Sequence, residues 1–105
     1  MKSKNKKTQS KKENKIKTDE AASLYVYATA YFIPRLRKLK EISMSYPSHE
    51  TEESWNEKLD FIANSFEARI SDSFYDLDIH AQMKVKEEAD TAAKMLGEVW
   101  FDLWS

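Results

Sequence analysis

Apolar residues recur at helical spacing in three segments of the chain, and this pattern predicts an all-α protein. The first predicted helix runs from about Asp19 to Ser43, with Thr18 as its candidate N-cap. Its expected buried stripe consists of Leu24, Ala28, Tyr31, the stem of Arg35, Leu39 and Ile42, widened by Tyr25, Phe32 and Leu36. Pro34 lies inside this segment and removes a backbone hydrogen bond, so we expect the helix to kink near Ala30 or to break in two.

Two further amphipathic segments follow the loop that contains Tyr46 and Pro47. The second predicted helix starts near Thr51, and its stripe is Trp55, Leu59, Ile62, Phe66 and Ile70. Residues 71–78 interrupt the pattern with capping side chains, so we expect Asp76 or Asp78 to cap a third helix. That helix is predicted from about Ile79 to Leu103, with a stripe of Val85, Ala89, Ala92, Leu96, Val99 and Leu103 extended by Met83 and Trp100.

Three amphipathic segments joined by short loops predict a small antiparallel three-helix bundle that spans residues 18–105. The first helix of this bundle is expected to be kinked or broken at Pro34. Gly97 lies inside the third predicted helix, where glycine costs about 1 kcal/mol relative to alanine. We expect a close helix contact, such as an aromatic ring lying across the backbone, to be the reason for this glycine.

Residues 1–17 form a basic tail with a composition unlike that of the rest of the chain. They hold eight lysines and one glutamate, which gives +7, and the net charge of −1 leaves −8 on the remaining residues. A segment with so few apolar side chains cannot offset the entropy lost on ordering, so we expect the tail to be disordered. Two interpretations stay open: a solubilising tail, and a weak contact with nucleic-acid phosphates.

The chain contains no cysteine, which excludes disulfides and thiolate metal sites. Its longest apolar stretch is about ten residues, shorter than a membrane span needs, and no signal-peptide pattern follows the lysine-rich start. We therefore expect a cytoplasmic protein without membrane contact. No glycine-rich phosphate loop is present because Gly97 is the only glycine, and we expect no cofactor.

Several short motifs resemble those of a group of short bacteriophage proteins of unknown function. The group shares an I-x-P-R-L helix, a Y-P loop, a W-x-x-x-L helix start and a closing F-x-x-L-W. The corresponding segments of this chain are Tyr31–Leu36, Tyr46–Pro47, Trp55–Leu59 and Trp100–Trp104. The resemblance covers roughly residues 24–104, with Ser65 before Phe66 where alanine often stands. It implies phage origin and expression in the bacterial host cytoplasm, and it implies no activity.

Aromatic and arginine side chains are the candidate binding residues of this chain. The set is Tyr31, Arg35, Arg37, Trp55, Trp100 and Trp104. One interpretation places the aromatic rings in the core. The other places them in a cleft where a planar ligand stacks, with the two arginines holding its phosphates. The crowded apolar end at residues 100–104 also predicts a surface for a partner protein or for a homo-oligomer.

Catalytic and metal chemistry have weaker patterns in this sequence. Asp76, Asp78 and His80 alternate as metal ligands can, but acidic residues before a helix are also normal caps. The pairs Glu50–Glu53 and Glu87–Asp90 resemble the magnesium-binding carboxylates of all-α nucleotide pyrophosphohydrolases. We instead expect no metal and no enzyme. The expected function is a non-enzymatic accessory or counter-defence factor that captures a host protein or a nucleotide-type signalling ligand stoichiometrically.

Overall fold

Helices are the regular secondary structure of the described part of the protein. A computed structural model describes residues 21–42 and 45–104, and within them no strand is present. The elements in chain order are α1 (Leu24–Ile42), α2 (Glu52–Ile70), a 3₁₀ helix (Asp72–Asp76), α3 (Ile79–Glu98) and a second 3₁₀ helix (Trp100–Asp102). The prediction of an all-α fold with three helices is confirmed.

Side-chain caps explain where α2 and α3 begin. The Thr51 hydroxyl accepts a hydrogen bond from the Ser54 amide at 3.0 Å, and the Ser54 hydroxyl accepts one from the Thr51 amide at 2.9 Å. This reciprocal pair satisfies backbone donors that the first helical turn leaves free. Asp78 does the same for α3, because its carboxylate accepts the Ala81 amide at 2.8 Å. Both predicted starts are confirmed, with Asp78 rather than Asp76 as the cap.

Helix α1 continues through Pro34 from Leu24 to Ile42 as one element. The proposed break into two helices is therefore wrong, whereas a kink near Ala30 stays a prediction. A single proline removes one hydrogen bond, and neighbouring turns can hold the helix together across that gap. The predicted cap Thr18, the start at Asp19 and the whole basic tail lie outside the described residues.

One face of α2 forms the centre of the hydrophobic core. Trp55, Leu59, Ile62, Ala63 and Phe66 are each at most 4% exposed, and Ile70 packs against them partly buried, as the stripe predicted. Ile33 and Leu36 of α1 and Ala92, Leu96 and Val99 near the end of α3 complete the cluster. Both outer helices contact α2 far more than they contact each other.

The buried face of α1 matches the prediction only in part: Leu36 is buried, and Phe32 and Leu39 pack partly buried against the core, as expected. Tyr31 and Ile42 are 57% and 50% exposed, Leu24 and Arg35 also face solvent, and Ile33 and Leu36 take the core positions. One residue along a helix rotates the side chain by about 100°. Tyrosines occur on several faces of this helix, so the apolar pattern did not identify the side that packs against α2.

The end of α3 and Gly97 also differ from expectation. Helix α3 ends at Glu98 instead of continuing to Leu103, and the chain tightens into the 3₁₀ helix Trp100–Asp102. Gly97 is exposed, and a Cβ atom placed on it meets no other atom within 4 Å. The predicted close contact at Gly97 is therefore wrong, and no contact in the described residues requires a glycine there.

Ion pairs join α1 to the exposed edge of α2. Arg37 binds the Glu67 carboxylate through both terminal nitrogens, at 2.9 and 3.1 Å, and Lys40 binds Asp60 at 2.7 Å. Lys40 follows Arg37 in α1, whereas its partner Asp60 precedes Glu67 in α2. Lys58 of α2 pairs with Glu50, which precedes this helix and whose side chain is 7% exposed. No helix of the described residues is long and apolar enough to cross a membrane.

We predict that Gly97→Ala stabilises the protein. Alanine in a helix is favoured over glycine by about 1 kcal/mol, and the space around position 97 accepts the added methyl group. Urea unfolding should show a free energy of unfolding raised by about 0.5–1 kcal/mol. The matched control is Ala93→Gly, one turn earlier on an exposed position, which should lower it by a similar amount. A lower stability for Gly97→Ala would contradict the open surroundings of this residue.

We also predict that acid weakens the fold through Glu67 and Glu50. Hydrogen bonds from Arg37 lower the pKa of Glu67 below its ordinary value of 4.5, and those from Lys58 and Ser54 lower the pKa of Glu50. The folded pKa lies below the unfolded one, so the ionised carboxylates stabilise the fold at neutral pH. This stabilisation is lost as pH falls from about 4.5 through the folded pKa values.

The measurement for this prediction is urea unfolding across a pH series from neutral to acid. At pH values below the ordinary pKa of the carboxyl group, Glu67→Gln should lose less free energy of unfolding than wild type does. The difference should be small because the pair is exposed and screened by solvent. Glu87→Gln is the control, since no ion pair of Glu87 occurs in the described part of the chain. Identical pH profiles for wild type and Glu67→Gln would show that the Arg37 pair contributes nothing.

Candidate binding surfaces

An apolar groove runs along the outer side of α1 and ends at the residues after α3. We call it the α1 groove; its volume is about 290 Å³. Its lining comes from the second half of α1 and one residue near the C-terminus: Tyr31, Phe32, Arg35, Leu36, Lys38, Leu39, Ile42 and Leu103. The lining is mostly apolar, with Arg35 and Lys38 as its charged members.

An aromatic row connects the α1 groove to the aromatic turn, which we define as residues 100–104. The Phe32 ring meets the Tyr31 ring edge-on at 5.7 Å and the Trp100 ring at 5.6 Å between centroids. The Arg35 guanidinium carbon lies 3.7 Å from the Tyr31 ring centroid, and Arg35 also donates to the Tyr31 carbonyl at 2.9 Å. Three predicted site residues, Tyr31, Arg35 and Trp100, are therefore brought together.

The aromatic turn exposes large apolar side chains. Trp100 is 48% exposed, Trp104 is 63% exposed and Phe101 is 91% exposed. Leu103 of the same turn lines the α1 groove, so the two surfaces adjoin. Exposed apolar side chains that adjoin in this way are typical of interaction sites. Phe101 was not among the six candidate binding residues, but it belongs to the apolar end at residues 100–104 for which the sequence predicted a partner surface.

Arg37 does not join Tyr31 and Arg35 in the α1 groove. Its guanidinium is held by the Glu67 carboxylate and by the Asn64 side-chain oxygen, at 2.9 Å for the latter. A bidentate carboxylate already occupies the planar fork that a phosphate would use. The prediction that Arg35 and Arg37 act together on one ligand is therefore not supported by their positions.

Trp55 is a core residue and has no access to a ligand. It is 2% exposed and lies in the cluster with Leu59 and Ala92. Its place among the predicted binding residues is therefore a misassignment. A tryptophan one turn into an amphipathic helix carries the largest apolar surface of its stripe, so burial of that stripe removes it from solvent.

A second hollow of about 350 Å³ lies where all three helices meet, and we call it the interhelical cleft. Residues from the first half of α1, the end of α2 and the middle of α3 line it: Tyr25, Thr29, Phe66, Arg69, Lys86, Ala89, Asp90 and Ala93. The Arg69 guanidinium carbon lies 5.2 Å from the Tyr25 ring centroid. In the sequence, this space is indicated by two small side chains, Ala89 and Ala93, which lie one turn apart on α3.

Metal ligands do not gather in the described part of the chain. No group of three or more histidine and acidic side chains is placed there to hold a metal ion. Asp78 uses its carboxylate as a helix cap, and Glu50 is paired with Lys58. The carboxylate pairs that resemble those of nucleotide pyrophosphohydrolases thus form no such cluster.

Comparison of the chain with known protein families, with curated proteins and with solved structures gives no significant match. The resemblance to short phage proteins therefore stays a prediction.

We predict stability losses of very different size for two tryptophans of the predicted site. Trp55→Ala should lower the free energy of unfolding by about 3–5 kcal/mol, because it removes a buried aromatic side chain and leaves a cavity. Trp104→Ala, at an exposed position, should change it by less than about 0.5 kcal/mol. Urea unfolding of both variants measures the difference. Equal losses would contradict the assignment of Trp55 to the core and Trp104 to the surface.

Proposed function

We propose that this chain is a non-enzymatic binding protein that captures a partner protein stoichiometrically. The α1 groove and the aromatic turn form its contact surface. The observation that supports this is the continuity of exposed apolar side chains from Tyr31 through Trp100 to Phe101. A contiguous apolar surface of this kind costs solvation free energy when it is left uncovered.

The chemistry of the α1 groove suggests which partner it fits. A groove with a mostly apolar lining suits the apolar face of an amphipathic helix. Arg35 and Lys38 on its lining favour acidic residues beside that face. Arg35 has no carboxylate partner among the described residues, and Lys38 pairs with the neighbouring Glu41 across an exposed 3.2 Å contact. The proposed partner segment is therefore an apolar helix with acidic flanks.

The resemblance to short phage proteins extends this proposal to a biological role. A phage protein that binds stoichiometrically in the bacterial host cytoplasm would act as an accessory or counter-defence factor, with a host protein as its partner. Nucleic-acid binding by the basic tail falls on residues outside the described part, and the described structure offers nothing in its favour. A nucleotide ligand at Arg37 and Trp55 is disfavoured because both side chains are already engaged.

We predict that charges placed on the contact surface abolish capture. The test variant is Ile42→Asp with Phe101→Asp, at positions 50% and 91% exposed. The matched control is Tyr75→Asp with Met83→Asp, at positions 72% and 59% exposed that lie outside the groove. Tagged proteins are used to retain partners from bacterial lysate, and the retained proteins are quantified by mass spectrometry.

Wild type and control should retain the same host protein. The test variant should retain at least about tenfold less of it, as expected for removal of a central contact. Equal retention by all three proteins, or no specific retention by wild type, would refute the proposal. Sedimentation velocity supplies a second readout. A wild-type dimer that becomes monomeric only in the test variant would assign the surface to a homo-oligomer instead.

A further inference from the structure

Two cations of the interhelical cleft have no carboxylate partner among the described residues. The Arg69 guanidinium carbon lies 4.6 Å from the Phe74 ring centroid, and the Lys86 ammonium lies 6.0 Å from the same centroid. The ion pairs of the described chain involve Arg37, Lys38, Lys40 and Lys58 instead. Arg69 and Lys86 both line the cleft, where Asp90 is the acidic residue of the lining, so an anion bound beside the two cations would be favoured.

The rest of the cleft is shaped for a flat apolar group. The Tyr25 ring is 49% exposed, with the Arg69 guanidinium carbon 5.2 Å from its centroid, and Phe66 lines the cleft at 4% exposed. Ala89 and Ala93 carry only methyl groups, which take up little of the space in the cleft. The cleft volume of about 350 Å³ is at the lower end of the range for small-molecule sites. An inorganic anion by itself would leave the apolar walls of this space without a contact.

We infer that the interhelical cleft binds a small planar ring that carries a phosphate, of the nucleoside monophosphate class. Arg69 and Lys86 would hold the phosphate, since the guanidinium fork and the ammonium group both bind phosphate oxygens. The base would lie against Tyr25, as bases stack on exposed aromatic side chains. Asp90 at the same cleft can accept a hydrogen bond from a ring N–H or a ribose hydroxyl.

This site shares no residue with the α1 groove, so it goes beyond the proposed function and does not depend on it. It also uses none of the six candidate binding residues named from the sequence. The predicted chemistry, an arginine beside an aromatic ring, occurs here at Arg69 and Tyr25. Unlike Arg37, Arg69 has no carboxylate of the described chain occupying its guanidinium.

The test is isothermal titration calorimetry of the full chain with the 5′-monophosphates of adenosine, guanosine, cytidine and uridine. Adenosine and ribose 5-phosphate separate the contributions of the ring and the phosphate. We expect at least one nucleotide to bind with a dissociation constant below about 1 mM. Each of the two partial ligands should bind at least about tenfold more weakly, because it lacks either the stacked ring or the charged contact. Added salt should weaken binding.

The variants Arg69→Gln and Lys86→Gln should each lower the affinity at least about tenfold by removing a charged hydrogen-bond donor. Ala93→Phe should block binding by filling the cleft. Lys84→Gln, an exposed lysine of α3 outside the cleft, is the matched control and should bind as wild type does. Circular dichroism verifies the fold of each variant, and Lys86→Gln decides the test if Arg69→Gln unfolds. No heat with any nucleotide, or unchanged binding by Lys86→Gln and Ala93→Phe, would overturn the inference.

Discussion

Burial of one face of α2 is the interaction on which the rest of this structure depends. That face supplies Trp55, Leu59, Ile62, Ala63 and Phe66 to the core, and both other helices pack against it. A domain of this size buries too little apolar surface for several separate cores, so a single central helix must serve both of its neighbours. Substitutions on this face should therefore affect α1 and α3 together.

The position of α2 between its neighbours also creates the two hollows. Helices α1 and α3 contact α2 more than each other, so a space remains where their flanks approach above Phe66. The side of α1 that carries the α1 groove is lined by no residue of α2 or α3. The aromatic turn after α3 reaches only part of that side, through Leu103 and the contact between Phe32 and Trp100. The interhelical cleft and the α1 groove are thus consequences of how three helices share one core.

The sequence predicted α2 far better than α1, and the reason is physical. The stripe of α2 faces partners on both sides, so its apolar residues form one unbroken band with polar residues opposite. In α1, tyrosines at positions 25, 27 and 31 add apolar surface on faces that stay exposed. Because a tyrosine is stable both in a core and at a surface, periodicity could not choose between faces. In the structure, Ile33 and Leu36 are the α1 residues that are buried in the core beside α2.

The candidate site shows the same limit, since a charged side chain acquires its role from its neighbours. Arg35 and Arg37 look equivalent in the sequence, but a rotation of about 200° along α1 separates them. Arg37 meets Glu67 and Asn64 of α2, whereas Arg35 lies over the exposed Tyr31 ring. Arg69 of α2 and Lys86 of α3 both lie near the Phe74 ring, which the segment between these two helices supplies.

Helix α1 contributes to both surfaces but with different residues, and this makes the two proposals separable. Tyr25 and Thr29 in its first half line the interhelical cleft, and Tyr31 to Ile42 in its second half line the α1 groove. Ile33 and Leu36 fix the helix against α2. Substitutions of exposed residues in either half can thus change one surface without altering how α1 packs against α2. A change to the buried pair should instead disturb both surfaces together, because it would alter the position of the whole helix.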